Sequence, residues 1–451
     1  MIRFYIALWI SKLYMFLTKI IKKDKSDKVG FLAHKICPNV LSRLSKPKLV
    51  IMVTGTNGKT TVSNLVHDML ESSGMKVGFN DWGANLLAGH IRCLLTCVNI
   101  FNKPKMDACV LECDELISPQ SMPYINPNYV IVTNISRDSI RRNSYPEYIF
   151  DKINTAISGC KNTTVVLNAD DPISSFIDCD KKVFVSIDKF NKDIPYENIS
   201  PDFCVCPKCN GKIEYLYKHY RHIGKFKCLK CGLESFNGDY IVSNVDYKNE
   251  EMTIGKYKYP IISKSIYNIY NELLVIALFK GLKYTDAQIR KCLMTLNIPK
   301  SRENLITVKG INVYSRMAKG QNTSAASSVY ENLAKDDRNK ELVLILDEVY
   351  DGFSGQETIT WLYDTDYEIL TKSCFKKIIV IGERNLDYKL RLKLAGIEEK
   401  RIICLPTYDD ICKYLDYNKD IDIYVLFELD RGPDSREVVK MIANYIEEVI
   451  K

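Results

Sequence analysis

The chain has 451 residues, enough for about three domains, and 46% of them are hydrophobic, as expected of packed cores. Lys and Arg number 63 against 55 Asp and Glu, for a net charge of +8 with the two signs interleaved; such a balance gives no ground of its own for nucleic acid as a partner. Sixteen cysteines in so long a chain, with no cleavable leader evident, exclude a small disulfide scaffold and favour a reducing cytosol with mostly free, buried thiols.

The first 21 residues are apolar from Phe4 to Ile10 and from Leu13 to Leu17, but Arg3, Lys12 and Lys19 interrupt them. The run falls short of a clean span of about 20 apolar residues, and Lys22, Lys23, Lys25 and Lys28 follow it. A helix packed on the protein body fits this pattern best. A helix lying in an anionic lipid interface is the second arrangement, and a membrane anchor the third.

Residues 50–61 read VIMVTGTNGKTT. The β-branched, apolar run Val50–Val53 predicts a buried parallel strand. Gly55, Thr56, Asn57 and Gly58 predict a tight turn, and Lys59, Thr60 and Thr61 open a helix running to about Leu70. Strand, glycine turn and helix N-terminus together make an anion site, because backbone N–H groups and the helix dipole face the same point. Lys59 is placed for the β- and γ-phosphates and the Thr60 hydroxyl for Mg²⁺. The competing reading is an ordinary strand-to-helix turn with a surface lysine.

The pattern then stays α/β. Strands are expected at Lys76–Phe79, Ala108–Glu112, Val130–Thr133, Val165–Asn168 and Val183–Ile187, and a helix at Tyr145–Ser158. Alternation of this kind implies a parallel sheet with helices on both faces and ligands at the carboxyl ends of its strands. Acids and amides gather at those ends: Glu112, Asp114 and Glu115; Asn134 and Asp138; Asn168, Asp170 and Asp171. Carboxylates there suit a Mg²⁺-nucleotide, with Glu112 the stronger candidate and Asp138 the weaker.

Cys206-Pro-Lys-Cys209 and Cys228-Leu-Lys-Cys231 have the spacing of a four-cysteine zinc ribbon closed by a hairpin. Four thiolates fill a tetrahedral shell, so this zinc is structural. His219 and His222 lie in the hairpin, Cys204 stands outside the spacing, and a redox pair is the rival reading. A helix is expected at Ile266–Leu282, with Asn268 and Asn271 on one face. Those amides suit a ribose or adenine edge, or a plain polar surface.

From about residue 300 a second α/β unit begins, with strands at Val308–Tyr314, Leu342–Asp347, Lys377–Ile381, Arg401–Leu405 and Ile423–Phe427, and a last helix at Asp434–Ile450. All five histidines, from His34 to His222, precede this half, so it holds no Cys-His glutaminase of its own.

In this order the motifs resemble the Mur ligase superfamily: the GTNGKTT loop, the Glu112 strand end, Thr133-Asn134 with Arg137-Asp138, Leu167-Asn168-Ala169-Asp170-Asp171-Pro172, the Asn268/Asn271 helix, and Ser301-Arg302. The inserted cysteine ribbon, Trp361-Leu362-Tyr363-Asp364-Thr365-Asp366-Tyr367 and Gly382-Glu383-Arg384 are similar to the MurT family, ligase subunits of lipid II isoglutaminyl synthase. The resemblance spans essentially the whole chain. It implies a short N-terminal helical segment (1–46), a Mur ligase-like central ATP-binding domain built on a parallel sheet (47–300, ribbon at 203–234), and a C-terminal Rossmann-like α/β domain (301–451).

The resemblance also implies a reaction. With ATP, Mg²⁺ and structural Zn²⁺, the α-carboxyl of D-glutamate in the lipid II stem peptide becomes an acyl phosphate, and ammonia from a GatD-like class I glutamine amidotransferase partner displaces the phosphate. Gly55 to Thr61 and Asn134 would hold the triphosphate. Thr60 and Glu112 would hold Mg²⁺, with Asp138 beside them. Asn268 and Asn271 would meet the nucleoside, and Arg302 would reach the phosphates. The chain departs from the family pattern at 351–361, where the aspartate thought to complete the partner's Cys-His pair is replaced by Thr358. Glu357, or Asp351 in reserve, would take that role. Lys319-Gly320-Gln321 also replaces a Lys-Asn-Pro segment, and Ser265 a glycine. Two other readings stay open: a Mur-type ligase for a different carboxylate, and a nucleotide-binding scaffold without activity. The location expected is cytoplasmic, with peripheral contact at the inner face of the plasma membrane as an option.

Overall fold

Leu49 to Val53 run apolar without alternation because the strand they form is covered on both faces, as parallel strands inside α/β sheets are. In this computed structural model, which describes residues 1–20, 27–80, 84–138, 145–190, 201–296, 303–319, 322–346 and 359–449, that strand is β1 (Leu49–Thr54). Its residues Val50 to Val53 are buried, each contributing on the order of 2 kcal/mol by burial.

The strands that follow are β2 (Val77–Phe79), β3 (Ala108–Glu112), β4 (Tyr129–Val132), β5 (Thr164–Asn168), β6 (Lys181–Ile187), β7 (Ile213–Tyr220), β8 (Ile223–Cys228), β9 (Tyr240–Asp246), β10 (Glu251–Ile254) and β11 (Tyr257–Pro260). The helices with them are α1 (Ile2–Ile20), α2 (Lys28–Ile36), α3 (Val40–Arg43), α4 (Lys59–Ser72), α5 (Leu87–Cys97), α6 (Ser118–Ile125), α7 (Pro146–Ser158), α8 (Ile266–Gly281) and α9 (Asp286–Thr295). Apart from residues 137–138, 145 and 201–202, the described residues up to 296 make the first of two units.

Nine strands form one sheet in the order β11-β10-β9-β6-β5-β4-β1-β3-β2. Strand β1 pairs in parallel with β3 on one side and β4 on the other. The order reverses around β1, so a crevice opens at its carboxyl end, where ligands of such sheets collect. Side chains such as Val50, Met52, Leu111 and Val132 enter a core shared with α1, α2, α5, α6 and α7. Helices α4 and α8 pack on the sheet and on each other. At the far edge β9, β10 and β11 form an antiparallel meander.

The second unit carries β12 (Glu303–Val308), β13 (Ile311–Met317), β14 (Asn339–Ile345), β15 (Phe375–Ile381), β16 (Ile402–Leu405) and β17 (Ile421–Phe427), with α10 (Thr323–Leu333), α11 (Thr360–Asp364), α12 (Asn385–Leu394) and α13 (Gly432–Val449). Its sheet runs β12-β13-β17-β14-β15-β16 and is parallel except for β12 on β13.

The strands expected from the sequence are present within a few residues, with one correction. The single strand expected at Val308–Tyr314 is the turn of a hairpin: Lys309 (φ 49°) and Gly310 (φ 86°) are both left-handed, which closes a tight antiparallel turn. The last helix also starts two residues early, with Pro433 in its first turn, where a missing N–H costs nothing.

The β7–β8 hairpin is tied down on the sheet. Lys225 pairs with Asp170 at 2.9 Å, and His222 Nε2 lies 3.4 Å from Asp171. Tyr217 and His219 donate to the Ile187 carbonyl at 3.0 and 3.1 Å. Asp170 also accepts from Ser186, the Ile187 amide and the Tyr270 hydroxyl, at 2.8–3.0 Å. These strand-end acids therefore anchor structure. Replacing Asp170 by Asn leaves Lys225 half-buried without its counter-charge. The expected loss of stability is about 3 kcal/mol, the order for a broken buried pair, read in denaturant unfolding, with faster amide exchange in 213–228 than elsewhere.

Candidate active site

The phosphate loop turns on two left-handed glycines, Gly55 (φ 117°) and Gly58 (φ 90°). Each is also a close approach. A Cβ on Gly55 would meet Thr133 Oγ1 at 2.4 Å, and one on Gly58 would meet Asn271 Oδ1 at 2.5 Å. Gly58 caps α4 without a side-chain acceptor, so the first amides of the helix stay available to an anion.

The end of β4 clamps this loop. The Thr56 amide donates to the Asn134 carbonyl at 2.8 Å. Asn134 Nδ2 donates to the Asn57 carbonyl at 2.9 Å, and the Asn57 amide to Asn134 Oδ1 at 3.3 Å. Thr56 Oγ1 exchanges bonds with the backbone of Ser136 at 3.0 and 3.1 Å. Asn134 thus supports the loop rather than standing free for a ligand.

Lys59 Nζ donates to the Gly55 carbonyl at 2.7 Å and to the Thr56 carbonyl at 3.3 Å, and pairs with Glu115 at 2.7 Å. Glu115 is buried; burial raises its pKa and the Lys59 ammonium opposes that rise. Glu112 is 5% exposed. One carboxylate oxygen is 3.4 Å from Asn85 Nδ2 and the other 3.5 Å from Ser63 Oγ, contacts long enough to leave both oxygens under-satisfied. Ser63 is one turn beyond Lys59 on α4, so the carboxylate lies over the helix turn that carries Thr60. A hard oxygen donor there suits Mg²⁺. His90 donates from Nε2 to the Glu112 carbonyl at 2.9 Å and is kept neutral by burial, its pKa lowered to about 4.

Asn271 is buried against Gly58, and its Nδ2 donates to Asn268 Oδ1 at 3.3 Å; Asn268 in turn donates to Ser263 at 3.1 Å. Beside them Glu272 is buried, with its pKa raised to about 8 by desolvation. Asp138 belongs to the second unit and accepts from Asn322 Nδ2 at 2.9 Å, while Arg137 pairs with Asp364 at 2.8 Å. Arg302, Asp351 and Glu357 lie outside the described residues.

The four ribbon thiols converge. Cys206 and Cys231 are 3.6 Å apart, Cys209 and Cys228 3.5 Å, and all four lie within 4.8 Å of one another. A Cβ on Gly211 would touch the Cys209 and Cys228 sulfurs at 3.1 and 3.3 Å. The amides of Lys230 and Cys231 donate to Cys228 Sγ at 3.4 Å, which pulls that thiol's pKa down to about 6, the Cys231 amide first. Convergent sulfurs with amide donors fit Zn²⁺. Cys204 is outside the group, as expected.

Two features escaped sequence reasoning. Glu115 stood in the acid cluster with nothing to mark it as the partner of Lys59. Cys93 and Cys97 on α5 and Cys109 on β3 bring three buried thiols together, a grouping that only the packing of helix on sheet creates.

Residues 53–204 match the family of Mur ligase middle domains, and residues 320–428 that of MurT ligase C-terminal domains. The MurT subunit of lipid II isoglutaminyl synthase (glutamine-hydrolyzing) from Staphylococcus aureus (strain N315) is 28% identical over 416 residues, 91% of this chain and 92% of the relative. The Streptococcus pneumoniae (strain ATCC BAA-255 / R6) subunit of the same name is 25% identical over 417 residues, 91% of each. Among solved structures, a pseudomurein peptide ligase type C from Methanothermus fervidus superposes with a TM-score of 0.69 at 19% identity, over 92% of this chain and 84% of that one. MurF from Acinetobacter baumannii does so with 0.63 at 12%, over 92% and 80%. These two show the fold.

Fold, phosphate loop and relatives together define an ATP-dependent carbon–nitrogen ligase similar to the Mur ligases. Along 91% of its length the chain is similar to MurT subunits.

Gly58→Ala tests the loop directly. The new methyl meets Asn271, and the φ of 90° is strained for any L side chain. The expected cost is about 1–3 kcal/mol of stability, together with a clear weakening of ATP binding, measured by thermal unfolding with and without nucleotide.

Proposed function

We propose that this protein activates the α-carboxyl of D-glutamate in the lipid II stem peptide for amidation, drawing ammonia from a GatD-like class I glutamine amidotransferase with which it pairs. The observation that carries this reading is the cradle at the end of β1: a lysine held over an open helix N-terminus by loop carbonyls and the buried Glu115, with a second buried carboxylate, Glu112, against Ser63 on the same helix. Similarity to MurT subunits along 91% of the chain supplies the substrate class.

A carboxylate resists attack by ammonia until one oxygen becomes a good leaving group. Here a carboxylate oxygen attacks the γ-phosphorus of ATP and ADP leaves; ammonia then attacks the carbonyl carbon and phosphate leaves. Lys59 and the amides of Gly58 to Thr61 would bind the triphosphate, giving preorganised positive charge where it develops. Thr60 and Glu112 would hold Mg²⁺, which neutralises the β,γ-oxygens when bound; Asp138 is the weaker candidate. Asn268 and Asn271 would face the nucleoside, and Arg302 the phosphates. Glu357, or Asp351, would complete the partner's active site. Cys206, Cys209, Cys228 and Cys231 would hold one structural Zn²⁺. The location that suits this work is the cytoplasm, at the periphery of the inner membrane face.

Lys59→Ala is expected to cut ADP release by about 10²–10³-fold, measured well below the variant's own unfolding midpoint, because stripping the buried Glu115 of its counter-charge lowers stability as well. Wild-type protein with its amidotransferase partner should form ADP with lipid II and glutamine; turnover on other carboxylates but not on lipid II would favour the different-acceptor reading. Glu357→Ala should slow the glutamine-driven reaction and spare the ammonia-driven one, and equal loss with both would remove that role. Metal analysis should find one zinc per chain, falling sharply in Cys228→Ser.

A further inference from the structure

The structure divides the N-terminal helix into two faces that the sequence alone leaves merged. Phe4, Ala7, Leu8 and Ser11 of α1 are buried in the core of the first unit. The other side carries Ile2, Ile6, Trp9, Leu13, Phe16 and Ile20, all exposed. Their spacing of three and four residues makes one stripe along the helix.

The stripe continues onto a second element. Trp9 Nε1 donates to the Ile100 carbonyl at 2.9 Å, which places α1 against the turn at 99–103. That turn is firmly built. Asn99 Oδ1 accepts from the amides of Phe101 and Lys103, both at 2.9 Å. Asn102 adopts a left-handed φ of 58°, and its side chain bridges the Arg43 carbonyl and the Ser45 amide at 3.0 Å each. The consequence is a rigid turn with outward apolar side chains: Ile100 is 51% exposed and Phe101 66%, beside Trp9 at 54%. A stripe of this extent on a water-facing surface marks an interaction site.

Charge selects its occupant. The first 48 residues hold eleven lysines and arginines against two aspartates, and α1 itself has no acid. Lys19, Lys35, Lys103 and Lys105 are exposed on α1, α2 and the turn segment. At the start of α1, Arg3 and Arg43 line a cleft of about 390 Å³, suited to a phosphate headgroup. An apolar stripe with Trp and Phe, flanked by cations and lacking anions, is the pattern of a helix lying in an anionic lipid interface. No helix among the described residues is long and apolar enough to cross a membrane, which leaves contact with the surface.

We propose that the outward face of α1 together with the 99–103 turn docks this protein onto an anionic phospholipid bilayer. The inference rests on the function above only in that a lipid-linked substrate would be met there. Docking itself needs neither nucleotide nor stem peptide.

The test is co-sedimentation of the full chain with vesicles of phosphatidylcholine alone or with about one-third phosphatidylglycerol, without ATP. Binding should rise about tenfold or more with the anionic lipid. It should fall about tenfold in Ile100→Asp/Phe101→Asp, a pair of turn substitutions that leaves the core intact, and by a smaller factor in Arg43→Ala. The double variant should keep wild-type ADP formation on a water-soluble stem-peptide substrate, so that a failed ligase assignment and a failed docking face give different results. A wild type that stays in the supernatant, binding indifferent to anionic lipid or to the turn substitutions, or a face consumed by self-association in sizing experiments would each overturn the proposal.

Discussion

Lys59 is held at the mouth of α4 by two loop carbonyls and a buried carboxylate, Glu115. The rest of the first unit is arranged around this pair. A lysine in such a place would otherwise swing into solvent and lose its direction; here its position is set before any anion arrives. The carboxylate needs the lysine as well, because burial alone drives Glu115 toward its neutral form. A triphosphate entering the loop would compete for the same ammonium. The helix N-terminus shares that charge, so exchange of one anion for another costs little reorganisation.

The scaffold reaches this point from two sides. On one, the end of β4 holds the loop through Asn134 and Ser136. On the other, α8 lays Asn271 against Gly58, while the preceding residue, Tyr270, donates to Asp170. Asp170 in turn grips Lys225 of the ribbon hairpin. A metal that stiffens the four thiols therefore stiffens a hairpin bonded to the helix that packs on the phosphate loop. A zinc held by these thiols would have that mechanical role, which a closed tetrahedral shell allows.

Much of this was legible in the sequence because the signals are local. Val50 to Thr61 declare strand, turn and helix start within twelve residues, and the paired C-x-x-C knuckles carry their own spacing. What stayed hidden depends on packing between distant segments. Three strand-end acid clusters look alike as text, yet Asp170 and Asp171 anchor a hairpin, Glu115 holds a lysine, and Glu112 keeps its oxygens under-satisfied. The hairpin turn at Lys309-Gly310 was masked by apolar, β-branched residues on both sides, which read as one strand. Asn271 read as either a nucleoside contact or a plain polar surface, and its place against Gly58 shows only once α8 lies on the loop. The two faces of α1 could not be told apart while nearly every position on it was apolar.

The most direct measurement is calorimetric titration of the zinc-loaded, folded chain with a non-hydrolysable ATP analogue, in the presence and absence of Mg²⁺. The account predicts a single site that tightens when Mg²⁺ is present and disappears when Lys59 is removed. A properly folded protein that takes up no nucleotide with Mg²⁺ present, or takes it up equally well without the lysine, would contradict it.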